Sequence, residues 1–300
     1  MPNPRPELLV DPEWLDARRD DPCIRVFDCT LTRVAQPSGA SIWESGRAKW
    51  LEAHIPGAFH LHMVEDLSAP HGGVPYGLPA PEKIAALLSS LGVDDTTTIV
   101  LYGDGGQSVV HRVWWVLVAS GAGDVRILDG GWQRWRDENR TIESGEPAIP
   151  TGAFAGNPKR GITIERDELA NLVGDPDTCL IHALTAEQFC GTGGQVYGRP
   201  GRIPGSVSIP AATMIDPDTM RFHPLDKLRD IFAAAGADKA ETIVPYCGGG
   251  IAASTTFFAL ALAGYDNVRL YDGSLLDWTA DPSLPMITDA DGPDTHRSNR

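Results

Sequence analysis

The chain has 300 residues, 42% of them hydrophobic and 22% charged, a length and composition that suit two folded domains and exclude a disordered protein. Its 25 basic and 40 acidic residues leave a formal charge of -15, which repels phosphate backbones and anionic lipid, so neither nucleic acid nor membrane is an expected partner. No apolar run reaches the length of a membrane span, and Met1 to Val10, with Pro2, Pro4 and Pro6, lacks the apolar stretch of a signal peptide, so a cytoplasmic location is expected.

The first helix is expected at Asp11-Pro12, an N-cap followed by a first-turn proline. Cys23 and Cys29 sit in or beside apolar strand-like runs and are expected in the core, as is Cys179 further on. His54-Ile-Pro-Gly-Ala58 leads into a polar stretch of His60, His62, Asp66 and His71, read as solvated loop residues, with acid-base help as the alternative. Pro81 opens another helix; a strand follows over Ile99 to Tyr102, a helix apolar nearly all round over Val109 to Val118, and a strand over Val125 to Leu128 ahead of Asp129-Gly-Gly-Trp132. From Gly145 to Pro158 the chain carries Gly152, Gly156, Pro147 and Pro150 with no periodicity, the composition of a linker, and the boundary is placed near residue 150.

Beyond the linker the same order returns. Arg202-Ile-Pro-Gly-Ser206, a helix opened by Pro224, a strand over Ile243 to Tyr246, an apolar helix over Ala252 to Leu262 and a strand over Val268 to Tyr271 answer the first half. Matching positions lie 148, 144 and 143 residues apart, too long a period for a solenoid and short enough in drift to be two copies of one domain, 1–150 and 151–300. Strands alternating with helices predict an α/β fold: two tandem domains, each a largely parallel sheet flanked by helices.

The copies differ at one chemically telling place. Gly103 in the first stands where Cys247 stands in the second, directly after the strand, and strand ends are where open α/β sheets bind ligands. Gly248, Gly249 and Gly250 let the backbone curl so that N–H groups point inward around the sulfur, and the helix opening near Ile251 adds its positive end. Both effects favour thiolate over thiol. A lone cysteine is commonly a buried, inert residue and a glycine triplet commonly a turn; the combination at one strand end is what points to chemistry. With no C-x-x-C pair and an odd count of five, the cysteines are expected as reduced thiols, with neither zinc nor another cofactor implied.

On His54-Ile-Pro-Gly-Ala58, Arg202-Ile-Pro-Gly-Ser206, Asp129-Gly-Gly-Trp132 and the loop from Cys247, in that order, the chain resembles the tandem-domain rhodanese family, the thiosulfate and 3-mercaptopyruvate sulfurtransferases, over essentially its whole length. The resemblance implies an inactive first domain, a catalytic second domain and a site between them. It further implies that Cys247 takes a sulfane sulfur from a small anionic donor, holds it as a persulfide against the N–H groups of Gly248, Gly249, Gly250, Ile251 and Ala252, and passes it to cyanide or a thiol. Because the loop has no charge it resembles that of mercaptopyruvate enzymes more than that of thiosulfate enzymes, which favours mercaptopyruvate as donor. Two carboxylate-binding arginines of those enzymes are nevertheless replaced here by Leu184 and Cys190, and their loop hydroxyl by Gly249. Arg199 and Arg202 are candidates to supply replacement charge, facing water or capping the sheet being the alternative, and Cys190 is a candidate to resolve the persulfide.

Three other functions compete. A cysteine-dependent phosphatase needs an arginine six residues after its cysteine, where this chain has Ala253. A cysteine protease needs a histidine partner that no local signature supplies. A sulfur relay or carrier would be loaded once and would not cycle.

Overall fold

The computed structural model describes residues 6–35, 41–104 and 107–289, so Pro2 and Pro4 lie outside the described residues. The first half runs β1 (Leu9–Val10), α1 (Pro12–Asp16), β2 (Ile24–Asp28), β3 (Leu31–Ala35), β4 (Ser41–Ser45), α2 (Arg47–Glu52), β5 (Phe59–His60), α3 (Pro81–Ser90), β6 (Thr98–Tyr102), α4 (Gln107–Ala119), β7 (Asp124–Leu128) and α5 (Gly131–Asp137). The second runs α6 (Arg166–Asn171), β8 (Thr178–His182), α7 (Ala186–Cys190), β9 (Val207–Ser208), α8 (Leu225–Ala234), β10 (Thr242–Tyr246), α9 (Ile251–Ala263) and α10 (Ser274–Trp278). Among the described residues no helix is long and apolar enough to cross a membrane.

Each half is an α/β unit on a parallel sheet, ordered β1-β7-β6-β2-β5 in the first and β10-β8-β9 in the second, with β3 and β4 forming a separate antiparallel hairpin. Asp11 caps α1 by accepting from Trp14 N–H at 2.7 Å, and Pro81 occupies the first turn of α3. Pro224 precedes its helix as the N-cap of α8, one place earlier than expected. Residues 144–160 contain neither helix nor strand.

Val268 to Tyr271 departs from the expected strand: among the described residues its residue pairing with β10 is an isolated bridge between Ile243 and Val268. The cause is Pro245. Arg269 N–H reaches Ile243 O and Tyr271 N–H reaches Pro245 O, but Pro245 has no N–H to return, so the ladder breaks. At the matching position the first copy has Leu101, and there β6 and β7 pair without interruption.

Two of the three cysteines expected in the core are there: Cys29 and Cys179 are buried. Cys23 is not. It precedes β2, its N–H held at 2.8 Å by the Asp21 carboxylate in a turn, and its side chain is exposed.

The two halves share one core because α4 and α9, the apolar helices of the two copies, pack against each other. His111 of α4 bonds Thr255 of α9 at 3.1 Å and stacks on Phe258, while Trp114 meets Phe258 edge-on. Two ion pairs tie the halves, the buried Arg112 to Asp272 and the exposed Arg221 to Asp129, the two aspartates occupying equivalent places in the repeat.

Candidate active site

The repeated Ile-Pro-Gly motif has a common structural task. Ile55 N–H donates to the Tyr102 hydroxyl at 3.2 Å, and Ile203 N–H donates to the Tyr246 hydroxyl at 3.1 Å, fixing the tyrosine just before Gly103 or Cys247. The residue ahead of the motif fastens the closing segment of its copy: His54 N–H donates to Glu143 O, and Arg202 N–H to Ile287 O.

Beyond these tyrosines the copies part. A Cβ on Gly103 would fall 2.9 Å from Val110 Cγ2, so that corner is filled. In the second copy the equivalent of Val110 is the smaller Ser254, whose hydroxyl turns back to Gly250 O at 2.8 Å. Room for a side chain results, and Cys247 occupies it, 2% exposed, at the inner end of a cavity of about 200 Å³.

The loop is held from behind. Cys247 N–H donates to Ser274 Oγ at 3.0 Å, Leu275 N–H to Cys247 O at 3.1 Å, and Leu276 N–H to Gly248 O at 2.9 Å. Ser274 Oγ also lies 3.9 Å from Cys247 Sγ. Ser274 adopts φ +51°, a conformation unfavourable for a residue with a Cβ, where the first copy has Gly131 at φ +55°. A serine kept in that conformation supplies a hydroxyl that glycine could not.

Among the described residues, no hydrogen-bond acceptor faces the backbone N–H groups of Gly248, Gly249, Gly250, Ile251 or Ala252. Gly248 and Gly250 are buried and Gly249, Ile251 and Ala252 half-buried, and buried N–H groups are otherwise almost always paired. Gly250, at φ +85°, turns the loop into α9, and the positive end of that helix adds to the same field. The loop is a cradle for negative charge beside a sulfur atom.

Tyr197 and Leu276 explain why the loop is glycine. A Cβ on Gly248 would fall 2.3 Å from the Tyr197 ring, and one on Gly249 3.1 Å from Leu276. A Cβ on Gly250 would meet Asp272 at 2.7 Å and Arg112 at 3.0 Å. That arginine comes from the first half, is wholly buried, and divides its guanidinium between Asp272 Oδ1 at 2.6 Å and Tyr76 O at 2.5 Å while lying over Trp115.

The cavity over Cys247 lies between the halves, with Trp43, Tyr76 and Ser108 on one side and Leu184, Gln195 and Tyr197 on the other. Arg199 and Arg202 do not line it. Arg199 donates to Asp281 O at 3.0 Å beside a smaller neighbouring cavity, and Arg202, 6% exposed, pairs with Asp289 at 2.8 Å and lies over Phe189. Cys190 ends α7 outside the cavity, and a hydrogen bond to Asp289 pushes its thiol above the ordinary range, away from nucleophilic thiolate.

His60, His62 and His71 also lie off the cavity. Burial lowers the half-buried His60 despite the Asp28 carboxylate; His62 Nδ1 accepts from Glu65 N–H while its own N–H meets Asp66, so both order a turn; His71 is exposed. The residues that sequence reasoning missed are Arg112, Ser274, Tyr197, Tyr76 and Trp43. Only Arg112 carried a signal, as the one cation inside an otherwise apolar helix run.

A rhodanese-like domain is matched twice along the chain, over residues 11–138 and 165–281. The probable 3-mercaptopyruvate sulfurtransferase of Pseudomonas aeruginosa is 33% identical over 285 residues, covering 93% of this chain and 98% of the relative. The sulfur carrier protein TtuD of Thermus thermophilus is 29% identical over 286 residues, covering 91% and 94%. The crystal structure of SseA from Escherichia coli, reported with the "rhodanese" fold of 3-mercaptopyruvate sulfotransferases, superposes with a TM-score of 0.77 at 28% identity, covering 89% of this chain and 98% of that one.

Proposed function

The chain belongs to the rhodanese family, whose domain it carries twice, and on that premise we propose that it is a sulfurtransferase working through a persulfide on Cys247. The observation that carries this reading is the run of five N–H groups without acceptors among the described residues, Gly248 to Ala252, beside a cysteine that lines the cavity between the halves. The division between the inactive and catalytic copies falls near residue 150.

In the first half-reaction the Cys247 thiolate attacks the sulfur of a donor thiol. With 3-mercaptopyruvate the C–S bond breaks, its electron pair leaves as the enolate of pyruvate, and the donor's proton or one from water converts that to the ketone. The outer sulfur, now an anion, is held by the loop N–H groups. In the second half-reaction cyanide or a thiolate attacks the outer sulfur, the S–S bond breaks, and its electron pair returns to Cys247 as thiolate. No oxidant or reductant is consumed.

3-Mercaptopyruvate is favoured over thiosulfate because none of the described residues lining the cavity is charged. A dianion would rest on backbone dipoles alone. A phosphatase reading lacks its arginine, since Ala253 is buried in α9 at the required place. The carrier reading has one supporting observation, the likeness to a sulfur carrier from Thermus thermophilus. Thiocyanate formation from cyanide, with 3-mercaptopyruvate and thiosulfate in parallel, separates the readings: continuous turnover that Cys247→Ser abolishes supports the enzyme, and one equivalent without turnover supports the carrier.

A further inference from the structure

We infer that the organic substrate meeting the Cys247 persulfide has an uncharged, flat or apolar body, seated against Trp43, Tyr76, Tyr197, Leu184, Ile251 and Leu276. This rests on the sulfur-carrying reading of Cys247 and adds what that reading leaves open, the class of acceptor.

At residues 248 and 249 the loop's side-chain space has been taken by apolar groups, whereas at 250 it is taken by Asp272 and Arg112. The Tyr197 ring stands where any side chain on residue 248 would begin, at 2.3 Å from a Cβ there, and Leu276 stands 3.1 Å from a Cβ on residue 249, with Tyr76 at 4.0 Å. Charge therefore cannot be introduced at residue 248 or 249 without displacing the wall. Leu184 presents an alkyl surface, and among the described residues the remaining polar side chains of the lining are neutral: Ser108 and Gln195. Arg202, a buried cation of the second half that lies off the cavity, is held by Asp289 and Phe189 O, and Arg112 by Asp272 and Tyr76 O.

Aromatic walls bind flat or apolar groups by burying area and by ring contacts, and they offer no positive charge to a further anion once the persulfide occupies the loop N–H groups. A cavity of about 200 Å³ is smaller than the roughly 300–1,000 Å³ that drug-sized ligands occupy, which limits the body to one ring or a short alkyl chain. The step is the attack of R–S⁻ on the outer sulfur of Cys247–S–SH, giving R–S–SH and the Cys247 thiolate, with the electron pair of the broken S–S bond returning to Cys247 Sγ.

Two measurements test this. Protein loaded with sulfur from 3-mercaptopyruvate is discharged in single turnover by 2-phenylethanethiol, 2-mercaptoethanol or mercaptosuccinate, each rate divided by the rate of the same thiol with a small-molecule persulfide. The aromatic thiol is expected to be favoured about tenfold over 2-mercaptoethanol and more over mercaptosuccinate, and Trp43→Ala or Tyr76→Ala to bring the first ratio toward one. Independently of loading, Cys247 alkylation by N-benzyl-iodoacetamide and by iodoacetamide, each scaled to its rate with free cysteine, should favour the benzyl reagent by a similar factor in the wild type. Failure to load with intact alkylation preference would sink the persulfide reading and leave the pocket assignment standing; scaled alkylation rates that are equal, or a preference for mercaptosuccinate in discharge, would overturn the inference itself.

Discussion

Arg112→Met removes a wholly buried guanidinium supplied by the first half to the second. Two short charge-assisted bonds go with it, at 2.6 Å to Asp272 and 2.5 Å to Tyr76 O, together with a contact over Trp115 at 4.6 Å. Breaking a buried pair by deleting one partner costs roughly 3–5 kcal/mol, because the other charge stays behind. The Asp272 side chain keeps 17% exposure and an accepted bond from Leu78 N–H, so the lower end applies, about 3 kcal/mol. Asp272 also packs under Gly250 and Tyr76 lines the cavity, so the loss reaches the loop and the wall together.

The assay is urea unfolding with a double-mutant cycle on Arg112→Met and Asp272→Asn, alongside the sulfur-transfer rate. The expected coupling is about 2 kcal/mol, with transfer slowed at least about tenfold in Arg112→Met and partly recovered in Arg112→Lys, which keeps the charge but not the fork. Coupling inside the additivity error of roughly 0.5 kcal/mol would refute the view that the first half supports the active loop.

Ser274→Ala and Ser274→Gly both orphan the Cys247 N–H and should slow sulfur transfer, but glycine accepts φ +51° without strain; unfolding free energies in urea should rank Gly above Ala by about 1 kcal/mol, and the reverse order would discount the strain. Gly248→Ala should lose about 1–3 kcal/mol by forcing the Tyr197 ring aside, and adding Tyr197→Ala should recover much of it; an additive double variant would show that the ring is not the obstacle. Burial lowers His111 to about 3, so the folded chain binds its proton less readily than the unfolded chain, whose histidine titrates near 6.5. Its share of stability is complete above 6.5 and is lost as pH falls from there toward 3, which loosens the α4–α9 contact on which the site depends. His111→Phe should flatten part of that decline in urea midpoints against pH, His182, lowered to about 4 by burial and then by Arg202, supplying another part; an unchanged slope would contradict this.

What the sequence made legible was whatever repeats or stands alone in local order. The doubled Ile-Pro-Gly motif, the two apolar helices and the Gly103/Cys247 contrast all lie within short stretches, and the architecture follows from them. Pro245 was legible too, but its effect on Val268 to Tyr271 depends on which N–H the neighbouring run needs. Cys23 misled because an apolar run says that a strand is near, not where the preceding turn leaves its first side chain. Ser274 and Tyr197 reach Cys247 and Gly248 from 27 and 51 residues away, and Arg112 reaches Asp272 across 160; pairings of that kind are set by docking the halves.

The most direct test is the intact mass, followed by the mass of the Cys247 peptide, after brief exposure to 3-mercaptopyruvate with excess donor removed. The account predicts one added sulfur, located on Cys247, lost on adding cyanide with formation of one equivalent of thiocyanate, and absent from Cys247→Ser. Sulfur found on Cys190 or Cys23 instead, or retained in Cys247→Ser, would contradict it.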